Sequence, residues 1–178
     1  ADVMSSGSAT LIFALLISTK LSGAALSSRS AMVKGEKLTS ASAPTVWAKC
    51  LQDMHWEKWD DACKEIADVK GGLVHGGTFT LVGKGGDKLA WTIDEVVKHK
   101  MISMSGSMMF GCLRSKWVMT TTPHSSGGCI MTHEVTMFGC VGRLVGWCAK
   151  GAMQKGSIDC LQNMARIAEM GVGGAESG

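Results

Sequence analysis

Hydrophobic positions change their period twice along this chain. Residues 9–26, ATLIFALLISTKLSGAAL, are the most apolar stretch, with a strong part over residues 11–17 that Ser18, Thr19 and Lys20 interrupt. Residues 33–38 then read as a short strand. After it Val46, Trp47, Cys50 and Leu51 recur at helical spacing, with Ser42 placed to cap the helix and Pro44 in the first turn, where its missing N–H costs nothing. Trp56 and Trp59 close a second short helix that ends near Ala62. From there the pattern turns strand-like. Residues 64–69, 77–83, 88–98, 100–105, 108–121 and 129–138 are apolar or β-branched runs parted by GG, GKGGD, HK and PHSSGG turns. In the third of these Leu89, Trp91, Ile93 and Glu95 alternate with Ala90, Thr92, Asp94 and Val96. Neither face is purely polar, as a sheet lining a cavity requires. Residues 139–170 return to helical spacing through Val141, Leu144, Val145, Cys148, Ala152, Leu161, Met164 and Ala168, with Arg143, Lys150, Lys155 and Arg166 largely opposite. One helix over that range would be about 45 Å long, enough to cross a domain.

The chain has 178 residues, which suits one domain with tails. We divide it into an apolar N-terminal extension (1–31), a domain (32–170) and a Gly-rich tail (171–178) that stops the last helix. Apolar residues at 46% against 19% charged exclude disorder. A net charge of +3, on scattered Lys and Arg, gives no footprint for nucleic acid. Seven cysteines form no CxxC pair and no ligand-spaced set with His, so they read as small apolar thiols in a reducing compartment, and no metal is expected. GKGGD at residues 83–87 lies between strands, with no helix N-terminus to receive a phosphate, and reads as a hairpin turn.

Two stretches resemble a known superfamily. APTVWAKCLQDMHWEKWDDACKEI is similar to the opening of the START-like (SRPBCC) proteins of the polyketide cyclase/dehydrase and lipid-transport type. GGCIMTHEVTMFGCVGRLVGW resembles their penultimate signature, a Gly-rich turn, a Thr-His-Glu strand and a small-residue turn that feeds the long helix. The resemblance spans about three quarters of the chain and implies an α+β helix-grip fold, a curved antiparallel sheet around a long C-terminal helix that encloses an apolar cavity. It also implies a hydrophobic ligand such as a lipid, isoprenoid or pigment; no cofactor is otherwise identified.

On that basis the cavity candidates are Trp91, Met104, Met108, Trp117, His133, Leu144 and Cys148. The methionines Met101, Met104, Met108 and Met109 offer a pliable wall, and the six tryptophans supply flat apolar area. Family enzymes place acid–base groups in the cavity. Here Tyr is absent, and His133 and Glu134 are neighbours on a strand and face opposite ways. No catalytic pair is assignable, and the expectation leans away from an enzyme toward a binding module. A cyclase or dehydratase using His133 or Glu134 stays open. His55, and the acidic group Asp53, Asp60 and Asp61, read as capping or solvated positions.

The third reading is an accessory subunit of a membrane complex, a photosystem-type assembly in a plastid among the hosts considered. It rests on the extension, where Leu11, Ile12, Phe13, Leu15, Leu16 and Ile17 would insert in a membrane, dock on a partner, or remain from a targeting segment. The chain opens on Ala1, which reads as processing or as a piece of a longer chain. Lys20, Arg29, Lys34 and Lys37 follow the apolar run and only Asp2 precedes it, so the domain is expected on the cytoplasmic, stromal or matrix side.

Overall fold

The computed structural model describes residues 31–108 and 112–170. Residues 1–30 with the anchor positions, residues 109–111 with Met109, and the Gly-rich tail lie outside the described residues.

Seven strands form one antiparallel sheet: β1 (Ala31–Thr39), β2 (Cys63–Lys70), β3 (Thr78–Gly83), β4 (Lys88–Val97), β5 (Met101–Met108), β6 (Leu113–Pro123) and β7 (Cys129–Phe138). Their order across the sheet is β1-β7-β6-β5-β4-β3-β2. The meander β2 to β7 thus pairs each strand with the next, and β1 closes the far edge by pairing with β7. Between β1 and β2 lies α1 (Ala43–Val46), which runs on as a π-helical turn over Trp47–Leu51, and then a 3₁₀ turn, Trp56–Lys58. Ser42 caps α1 as its sequence predicts, its Oγ accepting from the Thr45 N–H at 3.3 Å.

One face of the sheet carries the core. Val33 of β1, Phe79, Trp91 and Ile93 of β3 and β4, Ile102 and Met104 of β5, Met119 of β6, and Cys129, Met131 and His133 of β7 are all buried. The alternation in β4 breaks at a bulge between Ile93 and Glu95. It returns the next apolar residue, Val96, to the core and leaves Glu95 exposed, so Glu95 does not share a face with Trp91 and Ile93 as strict alternation predicts.

The C-terminal helix is in two parts. Ala149 (φ −93°, ψ 1°) separates α2 (Gly142–Cys148) from α3 (Lys150–Glu169), so the single helix over residues 139–170 is corrected to this pair. α3 buries Ser157, Cys160, Leu161, Met164, Ala165 and Ala168 against the sheet, whereas Cys148 and Ala152 of the expected stripe are exposed. Spacing alone did not reveal that the stripe rotates at the break. Gly35 in β1 allows the close approach: a Cβ there would lie 2.8 Å from Ser157 Oγ and 3.2 Å from Leu161 Cδ1. The end of α3 is tied to the end of β1 by Glu169, which accepts from Thr39 Oγ1 at 2.7 Å and from the Ser40 N–H at 2.9 Å. The Thr39 bond, followed by the Ser40 bond, holds its carboxyl below the usual range.

Candidate functional site

The strands and the 3₁₀ turn bring an aromatic cluster together under the helices. Trp56 and Trp59 sit three residues apart on the tight turn and both reach inward, their centroids 5.8 Å apart. Trp59 stacks almost parallel on Trp117 of β6, at 6.1 Å and 6°. Trp56 meets Trp117 at 5.6 Å and stands edge-on to Phe79 of β3 at 5.1 Å. Trp117 in turn packs against His133 of β7 at 4.7 Å. Cross-strand register adds two more members on the same face: Met104 lies opposite Trp117, and Trp91 opposite Phe79. Gly106, opposite Trp91, leaves room for the indole; a Cβ there would stand 3.1 Å from its ring.

Polar atoms of this cluster divide into satisfied and unsatisfied. Trp59 Nε1 donates to the Cys50 carbonyl at 2.7 Å, and Asn163 of α3 donates its Nδ2 to the Trp59 carbonyl at 3.1 Å, which locks that tryptophan in place. Trp56 Nε1, Trp91 Nε1 and both ring nitrogens of His133 are buried with no partner. Buried polar atoms are nearly always paired, so four in one connected cluster call for an explanation. His133 is only 4% exposed. Burial pulls its pKa down to about 4, so the ring is neutral through the physiological range. Trp117 is half-buried and the most exposed ring of the cluster.

Of the seven residues singled out in the sequence, the structure gathers Trp91, Met104, Trp117 and His133. Leu144 is half-buried on α2 and Cys148 is exposed at its end, so neither joins the rings. The Met108 side chain lies outside the described residues. Sequence reasoning left out Trp56, Trp59 and Phe79 as site residues, although the Trp-x-x-Trp spacing on a tight turn was a usable signal for the first two. A cleft of about 690 Å³ includes Phe79 and Trp91, with Thr78, Thr80, Thr92 and Ser105 around them. By register those hydroxyl side chains face away from the aromatic cluster, so the cleft runs over the other side of the same strands.

Chemistry elsewhere in the domain is muted. The thiols of Cys50, Cys63, Cys129 and Cys160 are buried, and burial first of all pushes their pKa up, to about 12 for Cys50 and about 11 for Cys63. They stay protonated and unreactive. Among the described residues no group of three or more His, Cys, Asp or Glu is placed to hold a metal. His55 is exposed and pairs with Glu57 at 3.0 Å, and Asp53 pairs with Lys58 at 2.9 Å.

No protein-family model and no curated protein matches the sequence. Solved structures do match the fold. Protein MLL2253 from Mesorhizobium loti is 19% identical, with a TM-score of 0.62 over 79% of this chain and 98% of its own. The di-domain ARO/CYC StfQ of the steffimycin biosynthetic pathway is 9% identical, with a TM-score of 0.65 over 79% of this chain and 51% of its own. Ara h 8.0201 is 13% identical, with a TM-score of 0.60 over 79% and 98%. The chain therefore has the helix-grip fold. That fold, a curved antiparallel sheet with a long C-terminal helix, is the one the sequence resemblance implies.

Proposed function

We propose that the domain binds an uncharged, largely apolar small molecule against the Trp117 face of its aromatic cluster, without a covalent step. The unpartnered nitrogens of Trp56, Trp91 and His133 carry this reading. They are neutral donors, with one imidazole acceptor, set among apolar rings. Such a lining favours a flat or conjugated ligand with a carbonyl or hydroxyl oxygen and disfavours a carboxylate, which no buried cation of the cluster would neutralise. Acid–base turnover has less support. A histidine titrating near 4 is poorly matched to proton transfer at neutral pH, and no carboxylate is hydrogen-bonded to it.

Nile red, a planar neutral dye with a carbonyl, tests the reading. Its saturable binding with energy transfer from tryptophan, weakened by Trp117→Ala and by His133→Phe, supports the site. Absence of saturable binding, together with no small molecule released from natively purified protein on denaturation, would overturn it.

A further inference from the structure

The β6–β7 ladder ends beside two thiols. Its outermost rung pairs Arg114 with Phe138. Continuing that register by two residues on each strand sets Cys112, in the turn before β6, opposite Cys140, in the turn after β7. The two segments stay together there. The Val141 N–H donates to the Cys112 carbonyl at 3.1 Å, and the Cys140 thiol donates to the same carbonyl at 3.3 Å. The Cys140 side chain is thus turned across the gap toward Cys112. The two thiols sense one another, since hydrogen bonding with Cys140, and after it the charge of Cys140, raises the Cys112 pKa above the ordinary thiol value.

Opposed residues of an antiparallel pair have Cα atoms about 4.5 to 5.5 Å apart, inside the window of about 4.4 to 6.8 Å that a disulfide spans. Both thiols are also exposed, so an oxidant in solution reaches them. The other cysteines lack this combination. Cys50, Cys63, Cys129 and Cys160 are buried. Cys148 is exposed but closes the far end of α2, about 9 Å along the helix from Gly142.

We infer that Cys112 and Cys140 are a surface dithiol that closes reversibly to a cross-strand disulfide by exchange with a glutathione-type disulfide. A thiolate of the pair attacks one sulfur of oxidised glutathione and expels the other half as glutathione thiolate, which leaves a mixed disulfide. The second cysteine, as its thiolate, attacks the protein sulfur of that mixed disulfide and expels the remaining glutathione. Two protein thiols lose two electrons and two protons, and one oxidised glutathione gains them to become two reduced molecules. Solvent reaches both sulfurs, so the reverse exchange is equally open, which is the character of a labile bridge and not of a structural one. Closed, the bond clamps the start of α2 to the start of β6. Gly142 follows Cys140 by two residues and already lies against Leu113, where a Cβ on it would come within 3.4 Å of Leu113 Cδ1.

The test incubates the reduced full chain with oxidised and reduced glutathione at stepped ratios, blocks free thiols with iodoacetamide and maps the tryptic peptides by mass spectrometry without reductant. The expected product links the Cys112 peptide to the Cys140 peptide, with two hydrogens lost and no glutathione on either, and it reopens when reduced glutathione is in excess. Cys112→Ser and Cys140→Ser should each trap one glutathione on the cysteine of the pair that remains, whereas Cys148→Ser should leave the link intact. Oxidation should raise the thermal midpoint by about 5 °C in the wild type and leave it unchanged in Cys140→Ser. Glutathione carried separately on Cys112 and Cys140 without a link overturns the inference, as does a link from either one to Cys148 or to a second copy of the chain. An oxidised midpoint at or below the reduced one also overturns it, because the bridge would then form only by distorting the turn.

Discussion

The ring of Trp117 stands edge-on to that of His133, 4.7 Å between centroids and 78° between planes, on neighbouring strands of the sheet. An edge-to-face pair of this kind suits two uncharged rings. The imidazole is held neutral because burial strips it of water and gives it no partner in exchange.

This arrangement sets a pH dependence. The folded-state pKa of His133, about 4, lies below the ordinary 6.5, so the unfolded chain takes up the proton first as pH falls. The stabilisation is complete above about pH 6.5 and is lost between there and about pH 4, by up to roughly 3 kcal/mol. Denaturant titrations from pH 4 to 8 should show this slope in the wild type and lack most of it in His133→Leu. Equal slopes would place the ring in water.

Substitutions on the C-terminal helices should separate the two halves of the expected stripe. Leu161 is fully buried beneath Gly35, and Leu161→Ala should cost about 2 to 5 kcal/mol. Cys148 is exposed, so Cys148→Ala should stay within about 0.5 kcal/mol. Chemical denaturation measures both.

Trp59→Phe keeps most of the stacked area on Trp117 but removes the indole N–H that serves the buried Cys50 carbonyl. An acceptor left without a partner costs about 1 to 3 kcal/mol. The same change at Trp56, whose N–H has no partner in the protein, should cost less, unless a ligand is bound. Comparing the two midpoints, before and after denaturing extraction and refolding, reads out that difference.

Thiol labelling should divide the cysteines by burial. Cys112, Cys140 and Cys148 are exposed and should react with Ellman's reagent at once; Cys50, Cys63, Cys129 and Cys160 should react only as the fold opens. Mass spectrometry of tryptic peptides assigns each site.

Much of the fold was legible because its turns are chemically loud. The PHSSGG turn and the Gly-Cys boundary place β7 at residues 129–138 to the residue, and Ser42 with Pro44 marks the start of α1. The bulge in β4 was not legible: Asp94, Glu95 and Val96 carry no glycine or proline, and the register slips to let Val96 reach the core. The break at Ala149 was hidden for a similar reason, since alanine is a good helix former and helical spacing continues on both sides. For the site, Trp91, Met104, Trp117 and His133 were candidates because the resemblance implies a cavity and large aromatic and methionine side chains suit its wall. Trp56 and Trp59 depend on a tight turn whose path across the concave face is set by tertiary packing, which no local spacing records.

The place of β1 has a consequence for how the molecule is made. Its partners are β7 and α3, the last strand and last helix of the described chain, and Glu169 ties its final residue, Thr39, across 130 positions of sequence. A ribosome releasing this protein exposes residues 31–39 long before residues 129–169 exist. The meander β2 to β7 can zip sequentially through hairpins, whereas β1 must wait for the chain to finish. Closure of the sheet edge is therefore a late, long-loop event, and refolding should be limited by it on the slow side of the range for small domains.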